Sequence, residues 1–319
     1  MKKILITGCC GFIGFHLTNK LLKKKFEVYG IDNFSKSYDL RFKKQRHAIL
    51  QKNKKFNFFK KDLKDVNKIK LPKIDIIFHL AAEAGVRKSI DNPLFYIDQN
   101  INNTIKIYEL ARRNKIKKVL YASSSSVYGF NKKYPTKETN SISQPLSVYG
   151  ISKIATENIA YYYFKIFKIS SIGFRFFTVY GPYGRPDMSI FIFFKSIFNN
   201  KKIYLFNKGK NFRDFTYIDD VINYLFECMK KINKKKEFFD VFNIGDEKSI
   251  GVLKLISIIQ KLTNKKAKII LKPKVKLDPE KSLANMNKIN NFVGKKFRTK
   301  FKIGIINTFE WVKKNKNLF

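Results

Sequence analysis

The segment from Ile4 to Asp32 constrains the fold more than any other part of the chain. An apolar run, Ile4-Leu5-Ile6, leads directly into a glycine-rich loop. From Phe12 onward apolar residues recur at helical spacing, and a second apolar run then ends at Asp32. Strand, glycine loop, helix, strand and terminal acid in this order are typical of the first half of a dinucleotide-binding sheet.

The glycine loop and the acid indicate what this unit would bind. Gly8, Gly11 and Gly14 permit a tight turn and let a pyrophosphate approach the backbone N–H groups at a helix N-terminus. Asp32 stands about 20 residues beyond the loop, where an acid binds the ribose 2′-hydroxyl of NAD and would repel the 2′-phosphate of NADP. NAD is therefore the expected cofactor. No P-loop lysine follows the glycines, so a nucleoside triphosphatase is not favoured.

Strand-like runs continue beyond this unit, with helical stretches between them. They lie at Phe56–Phe59, Ile74–Leu80, Lys118–Ala122 and Ser171–Phe177. The alternation predicts an α/β fold with a doubly wound parallel sheet of the Rossmann type. Ligands of such sheets bind at the carboxyl ends of the strands.

Two pairs of residues that follow these runs are therefore candidate cofactor contacts. Asp62-Leu63 follows the third strand and could hold the adenine edge. Ala81-Ala82 follows the fourth strand, where small side chains would let the cofactor lie close to the chain.

The character of the chain changes after Tyr180. The stiff segment from Gly181 to Asp187 interrupts the alternation. We predict an NAD-binding domain over residues 1–180 and a mainly substrate-binding lobe over residues 181–319, with some segments returning to the main sheet. Short elements such as Phe239–Ile244 would build the smaller lobe, and the cleft between the lobes is the expected substrate site. Lysine-rich stretches around Lys43–Lys55 and Lys230–Lys236 are interpreted as solvated loops or helix faces.

The net charge of +42 raises the question of nucleic-acid binding. Of the 66 basic residues only nine are arginine, the residue preferred for reading base edges, and the lysines occur on nearly every predicted surface segment. Abundant Ile, Asn, Lys, Phe and Tyr are expected from an AT-rich genome. No specific nucleic-acid partner is predicted.

The cysteines, histidines and apolar stretches exclude further classes. Cys9, Cys10 and Cys228 do not form a disulfide framework, and the three histidines lack zinc-site spacing, so no metal site is predicted. No apolar stretch approaches the ~20 residues needed to span a bilayer, and no cleavable segment precedes the first strand. The predicted location is cytoplasmic.

The pentad Tyr149-Gly150-Ile151-Ser152-Lys153 is the candidate catalytic element. Residues four apart share one helix face, so Tyr149 and Lys153 can point at one bound molecule. An ammonium beside a phenol lowers the phenol's pKa from about 10, which would make Tyr149 a base near neutral pH. Because the chain has 16 tyrosines and many lysines, this spacing alone means little. Its position downstream of the glycine loop and of Ser123–Ser126 gives it weight.

Four longer strings carry a resemblance to a known family. They are His79–Arg87, Ser123–Gly129, Arg175–Met188 and Arg213–Asp220. From Met1 to about Trp311 the chain resembles the extended short-chain dehydrogenase/reductase family of NAD-dependent epimerases and dehydratases, and within it the UDP-glucuronate 4-epimerases. The resemblance implies an isomerase that interconverts UDP-glucuronate and UDP-galacturonate for polysaccharide biosynthesis. Tightly held NAD would accept a hydride from C4 of the sugar and return it to the opposite face.

The same resemblance assigns the catalytic and cofactor-binding residues. Tyr149 would take the C4-hydroxyl proton, Lys153 would bond the nicotinamide ribose and keep Tyr149 ionised, and Ser124 would hydrogen-bond the reacting oxygen. The expected cofactor contacts are Gly8, Gly11, Phe12, Ile13, Gly14, Asp32, Asn33, Asp62, Leu63, Leu80, Ala81, Ala82, Asn100, Tyr149 and Lys153.

It also implies how a uronate would be held. Oxidising C4 of a hexuronate gives a β-keto acid, which tends to lose carbon dioxide when its carboxylate stands perpendicular to the carbonyl plane. An epimerase must therefore hold the carboxylate away from that orientation, a task assigned to Ser126, Thr178 and Arg185. Arg213 and Asp278 would grip the UDP group. The expected substrate contacts are Arg87, Ser126, Thr178, Arg185, Met188, Arg213 and Asp278.

Four positions depart from the pattern of the family. Glu83 replaces a usual glutamine, Lys88 stands where tyrosine is common, Ile192 stands where lysine is common, and Asp278 has an altered setting. Each could shift substrate preference. The main alternative is a 4-epimerase of neutral UDP-sugars such as UDP-glucose or UDP-N-acetylglucosamine.

A second alternative is a catalytically silent NAD-sensing or nucleic-acid-binding protein. It is disfavoured because Ser124, Tyr149 and Lys153 are all present, and a sensor does not need the three together.

The resemblance further implies a homodimer. Family members pair the helix that follows Asn100 and the helix that contains Tyr149 through Phe167 into a four-helix interface. Apolar and aromatic outer positions on these helices include Tyr161, Tyr162 and Tyr163.

Overall fold

The computed structural model of the protein describes residues 2–131, 133–275 and 279–319. Asp278, an expected substrate contact, lies outside the described residues. The strands are β1 (Lys3–Thr7), β2 (Glu27–Ile31), β3 (Phe56–Phe59), β4 (Ile76–His79), β5 (Lys118–Ser124), β6 (Ser170–Phe176), β7 (Thr178–Tyr180), β8 (Lys202–Leu205), β9 (Phe212–Tyr217), β10 (Phe239–Ile244), β11 (Ser249–Gly251) and β12 (Lys268–Leu271). The α-helices are α1 (Phe12–Lys23), α2 (Leu40–Gln51), α3 (Lys88–Asp91), α4 (Pro93–Tyr96), α5 (Asn103–Arg113), α6 (Val148–Phe167), α7 (Ser189–Phe198), α8 (Ile218–Asn233), α9 (Val252–Thr263), α10 (Asn287–Val293) and α11 (Phe301–Lys314).

The main sheet has seven strands in the order β10-β6-β5-β4-β1-β2-β3. Every neighbouring pair in it is parallel. The predicted Rossmann-type fold is therefore confirmed, with β10 added beyond the usual six strands. The chain reverses its direction of winding between β1 and β4, and this switch point is where dinucleotides bind in such sheets.

Helices cover both faces of this sheet, which explains why its central strands are apolar along their whole length. Ile4 and Ile6 of β1 belong to a core on the side of α1, α2 and α8. Leu5, which points the other way, belongs to a second core that contains Tyr108 of α5 and Ala160 of α6. Alternate side chains of β1 therefore pack into two different cores. The cofactor loop that follows β1 is thereby held from both faces of the sheet.

The strand Phe239–Ile244 corrects one expectation. It was expected to help build the smaller lobe, but it is the edge strand β10 of the main sheet and pairs with β6, with Phe242 opposite Phe174. The preceding helix α8 packs against α1, β5 and β6, and so returns the chain to this edge. The domain boundary at residue 180 stays a prediction.

The smaller lobe contains two short sheets. One has the order β11-β9-β7 and the other pairs β12 with β8. Strand β7 follows β6 after Phe177 alone and pairs in parallel with β9, so that Thr178 lies opposite Phe215. This places the start of β7 beside the main sheet and Arg213 of β9 on the facing side of the cleft.

The lysine-rich stretch around Lys43–Lys55 is not a solvated face as a whole, which corrects a second expectation. Helix α2 covers its first half, and four of the α2 residues are buried: Phe42, Lys43, Arg46 and Leu50. The stretch Lys230–Lys236 is mostly exposed, as expected.

Tyr161 and Tyr162 are 48% and 52% exposed on α6, as expected for outer positions. Tyr163 is buried instead, because its ring stacks on Tyr108 and its hydroxyl donates to Glu109 at 2.8 Å.

Within the described parts of the chain, no helix combines the length and the apolar character that crossing a membrane requires.

Candidate active site

A cleft of about 520 Å³ runs along the carboxyl ends of the main-sheet strands and is closed on its far side by the smaller lobe. It crosses the switch point between β1 and β4, as the fold predicts. The structure brings most of the expected site residues to its walls. These are Gly8, Gly11, Phe12, Ile13, Gly14, Asp32, Asn33, Leu63, Leu80, Ala81, Ala82, Ser124, Ser126, Tyr149, Lys153, Thr178, Arg185, Met188 and Arg213.

The glycine loop forms a cradle whose tight turn leaves no room for side chains at its glycines. Gly8 has φ +71°, and a Cβ atom at Gly14 would stand 2.1 Å from the Gly8 carbonyl oxygen. Helix α1 begins directly after Gly11, and no side chain caps its first turn. Its first N–H groups are therefore available to an anion in the cleft.

Asp32 is fixed at the end of β2 by two backbone donors. The Cys10 N–H donates to Oδ2 at 3.0 Å, and the Phe34 N–H donates to Oδ1 at 2.9 Å. A carboxylate has about four acceptor positions, so both oxygens can still accept from a ribose diol. Together with the cradle, this donor and acceptor set fits a dinucleotide with an unphosphorylated ribose.

Two adjacent elements bring the catalytic candidates together. Ser124 ends β5, and its Oγ accepts from the Ser126 N–H at 3.1 Å. Tyr149 lies in the first turn of α6, which begins where the Ser147 hydroxyl accepts from the Gly150 N–H at 3.1 Å. The Ser124 hydroxyl donates to Ser126 Oγ at 3.2 Å, and Ser124 lies close enough to Tyr149 to lower the pKa of the phenol.

Lys153 lies one turn further along α6 and is only 4% exposed. Its Nζ donates to the Ala122 carbonyl at 3.0 Å and lies 5.9 Å from the centroid of the Tyr149 ring. Burial lowers the pKa of Lys153 to about 8, although the charge of Glu157 opposes the shift.

The pKa of Tyr149 moves in the direction opposite to our expectation. Burial raises it, and the hydrogen bond from Ser124 and the charge of Arg185 only partly oppose this. In this arrangement the loss of solvent outweighs the nearby positive charges, and the contribution of Lys153 to the Tyr149 pKa stays a prediction. Ser124 and Arg185 are the groups that favour its ionised form.

A buried ion pair lies beneath these residues. Arg175 of β6 donates from Nε and Nη2 to Glu157 of α6 at 2.9 and 2.7 Å, and both side chains are nearly inaccessible to solvent. Glu157 also accepts from the Ser123 hydroxyl at 2.5 Å. The pair thus holds α6 against the ends of β5 and β6. It thereby fixes the separation between Ser124 and Lys153.

Arg185 reaches the cleft from the segment that follows β7. Its Nε and Nη2 donate to Asp187 at 3.1 and 2.8 Å, and Nη2 also faces the Ala84 carbonyl at 3.4 Å. The guanidinium carbon lies 5.4 Å from the centroid of the Tyr38 ring. Arg185 is therefore held on three sides before any ligand is considered.

The sequence model of the NAD dependent epimerase/dehydratase family matches residues 4–245. The chain belongs to this family. A UDP-glucuronate 4-epimerase of Thermodesulfobacterium geofontis is 35% identical over 320 residues, which are 99% of this chain and 97% of that protein.

Solved structures of the epimerase family are similar over the whole chain. A UDP-glucuronic acid 4-epimerase from Bacillus cereus, crystallised with UDP-glucuronic acid and NAD, is 34% identical with a TM-score of 0.92, covering 98% of this chain and 99% of that one. A UDP-glucose 4-epimerase from Thermotoga maritima, crystallised with UDP-glucose, is 28% identical with a TM-score of 0.88 and the same coverage.

Three expected contacts of this epimerase-family protein do not line the cleft. Asn100 is buried behind its wall, where its amide pairs with the Glu83 backbone and the Ser152 hydroxyl. Asp62 accepts from Asn33, which does line the cleft, at 2.8 Å. Arg87 is exposed, and its guanidinium stacks on Phe206 at 4.4 Å.

Sequence reasoning missed Tyr38, Lys43 and Arg46. Tyr38 and Lys43 line the cleft, and the buried Arg46 donates to the carbonyls of Cys10, Tyr183 and Gly184. Arg46 thereby joins the glycine loop to the segment that carries Arg185. The only available signal was the amphipathic spacing of Phe42, Arg46 and Leu50, which the surrounding lysines obscured.

Proposed function

We propose that the protein is an NAD-dependent UDP-glucuronate 4-epimerase, which interconverts UDP-glucuronate and UDP-galacturonate through a 4-keto sugar. The observation that carries the proposal is one cleft with two walls. Ser124, Tyr149 and Lys153 lie on the main-sheet side, and Arg185 and Thr178 lie where the smaller lobe begins. The relatives named as UDP-glucuronate 4-epimerases support it over the full chain length.

The cofactor site supports NAD. The glycine cradle and the uncapped start of α1 would hold the pyrophosphate, and Asp32 would accept from the ribose hydroxyls. Bound there, NAD would accept the hydride from C4 of the sugar and later return it. Lys153, whose Nζ is fixed by the Ala122 carbonyl, would bond the nicotinamide ribose.

The proton transfers would belong to Tyr149 and Ser124. Tyr149 would take the proton of the C4 hydroxyl as that carbon is oxidised and return it after the sugar has turned over. The Ser124 hydroxyl, which lies beside Tyr149, would steady the same oxygen as it becomes a carbonyl.

The substrate carboxylate would meet Arg185, Thr178 and Ser126. These donors would hold the carboxylate in or near the plane of the C4 carbonyl. In that orientation the β-keto acid would not lose carbon dioxide. Arg213, with Asp278, would hold the UDP group, so that the sugar alone can rotate between the two hydride transfers.

The test is proton NMR of the purified protein incubated with UDP-glucuronate and, in parallel, with UDP-glucose, without added reductant. Formation of UDP-galacturonate from the first substrate alone supports the proposal. Arg185→Met should abolish this turnover, whereas Arg298→Met, which removes an arginine outside the cleft walls, should leave it unchanged. Conversion of UDP-glucose alone would overturn the uronate assignment.

A 4-epimerase of neutral UDP-sugars is the second candidate, favoured by the similarity to the UDP-glucose 4-epimerase of Thermotoga maritima. In that case Arg185→Met would spare activity, because a neutral sugar has no carboxylate to hold. NAD binding without turnover of any nucleotide sugar would instead favour a silent sensor.

The assembly and the cellular role stay proposals. Apolar side chains on α5 and α6 are exposed, as a helical dimer interface requires: Ile105, Ile151, Tyr161, Tyr162 and Ile166. A monomer by light scattering at micromolar concentration would contradict the dimer, and Ile166→Glu should dissociate it. The cytoplasmic location rests on the cysteine usage, and the role in polysaccharide synthesis rests on the family resemblance.

A further inference from the structure

Arg185 already has a carboxylate partner within the chain. Asp187 accepts from its Nε and Nη2 in a two-point ion pair, and the two side chains are only 19% and 28% exposed. Although burial opposes it, the hydrogen bonds and charge of Arg185 hold the pKa of Asp187 below its usual range. Asp187 is therefore an anion at neutral pH.

This pairing weakens Arg185 as a receptor for the substrate carboxylate. The charges of Arg185 and Asp187 cancel at a distance, and a second carboxylate on the same guanidinium would be repelled by the first. Some other positive charge has to offset Asp187 if the cleft is to favour an anionic sugar.

Lys88 supplies that charge. Its Nζ lies 3.5 Å from Asp187 Oδ2 and donates to the Ser37 carbonyl at 2.7 Å. The carbonyl contact fixes the ammonium although the side chain is 51% exposed. With Lys88 included, the group of Lys88, Arg185 and Asp187 carries one net positive charge, which matches one carboxylate.

The remaining charges nearby balance one another. Glu83 accepts from the Ser37 hydroxyl at 2.6 Å, on the same loop that holds Lys88. The charges of Asp32 and then Glu83 act on the buried Lys43, whose Nζ donates to the Ser35 carbonyl at 2.9 Å, and the charge of the buried Arg46 acts on the same lysine. Asp32 and Glu83 are thus offset by Lys43 and Arg46, and Lys88 is left to offset Asp187.

We propose that Lys88 determines the preference for a uronate, by neutralising Asp187 so that the charge of Arg185 remains available to the sugar carboxylate. The inference rests on the proposed function. Lys88 acts through Asp187 and Arg185 and does not touch the reacting atoms, so it is a specificity residue and not a catalytic one.

The test is a double-mutant cycle with Lys88→Met, Asp187→Asn and the double variant. We expect Lys88→Met to raise the KM and the dissociation constant for UDP-glucuronate about two- to fivefold, because an exposed pair is screened by solvent. The kcat for UDP-glucuronate and the dissociation constant for UDP-glucose should stay unchanged. In the Asp187→Asn background, the effect of Lys88→Met on UDP-glucuronate should largely disappear.

The matched control is Lys313→Met, an exposed lysine near the end of α11, which changes net charge equally and should have no effect. An equal loss of affinity for both sugars on Lys88→Met would overturn the inference, as would additivity with Asp187→Asn. If the native protein binds UDP-glucuronate without epimerising it, the proposed function fails. The dissociation constants still decide the role of Lys88 in that case.

Discussion

The Lys153 ammonium donates to the Ala122 carbonyl oxygen at 3.0 Å. The carbonyl belongs to β5 and the lysine to α6, so the contact fixes the helix against the strand that ends at Ser124. Lys153 is thereby rigidly placed, while burial raises the pKa of Tyr149 and Ser124 and Arg185 lower it.

Replacing Ser124 should move the pH dependence of catalysis. The Ser124 hydrogen bond lowers the pKa of Tyr149, so Ser124→Ala should raise it and displace the rising limb of kcat/KM toward higher pH. Near neutral pH we expect a loss of about 10²-fold. The measurement is the pH profile of UDP-glucuronate epimerisation, with the exposed Ser143→Ala as control. A uniform loss without displacement would show that Ser124 acts on the substrate alone.

Replacing Lys153 should change how stability depends on pH. The native pKa is about 8 and the unfolded pKa about 10.5, so between these values the unfolded chain binds more protons at this lysine. The free energy of unfolding of the cofactor-free protein therefore gains a rising contribution from about pH 8 to 10.5.

Lys153→Met should remove that contribution and increase stability at pH 7 by a few kcal/mol, since a buried cation no longer needs to be desolvated. Urea denaturation of both proteins at pH 7 and pH 9.5 measures the difference. Equal pH slopes for the two proteins would contradict the lowered pKa of Lys153.

Replacing Asp32 should release the cofactor. Asp32→Ala removes a fixed carboxylate that would accept from the ribose hydroxyls, and we expect NAD affinity to fall about 10- to 100-fold. Calorimetric titration with NAD measures this, and Asp65→Asn, a partly exposed acid paired with Lys68, is the control. An unchanged dissociation constant would mean that the ribose binds elsewhere.

Breaking the pair of Glu157 and Arg175 should destabilise the fold. Glu157→Gln leaves the Arg175 guanidinium buried without a counter-charge, which costs about 3–5 kcal/mol. Replacing both residues, as Glu157→Gln with Arg175→Met, should cost less than the sum of the single changes. Urea denaturation at neutral pH gives the four free energies, and strict additivity would argue against a coupled pair.

Local patterns predicted the strands and helices that build the cofactor half. Residues from Ile4 to Asp32 follow one another in a single strand–helix–strand unit, so sequence spacing carries their geometry. The placement of β10 could not be read in this way. Its alternating residues indicate a strand, but the edge it joins depends on how α8 packs against α1, β5 and β6.

The burial of charged residues could not be predicted from the sequence either. Lys43 and Arg46 stand among exposed lysines, and their burial depends on carbonyl groups of the Ser35 loop and of Tyr183, which is far away in the chain. The pairing of Glu157 with Arg175 likewise joins a helix to the strand that follows it. Tertiary contacts of this kind leave no periodic signal.

The buried Arg46 links two loops that border the cofactor site. Its guanidinium is 0% exposed and joins the Cys10 carbonyl of the glycine loop to the carbonyls of Tyr183 and Gly184. Opening either loop alone would remove part of the acceptors of this buried charge, so Arg46 couples the two loops. An epimerisation restores the oxidised cofactor in every cycle, so turnover does not require these two loops to open for exchange of the dinucleotide.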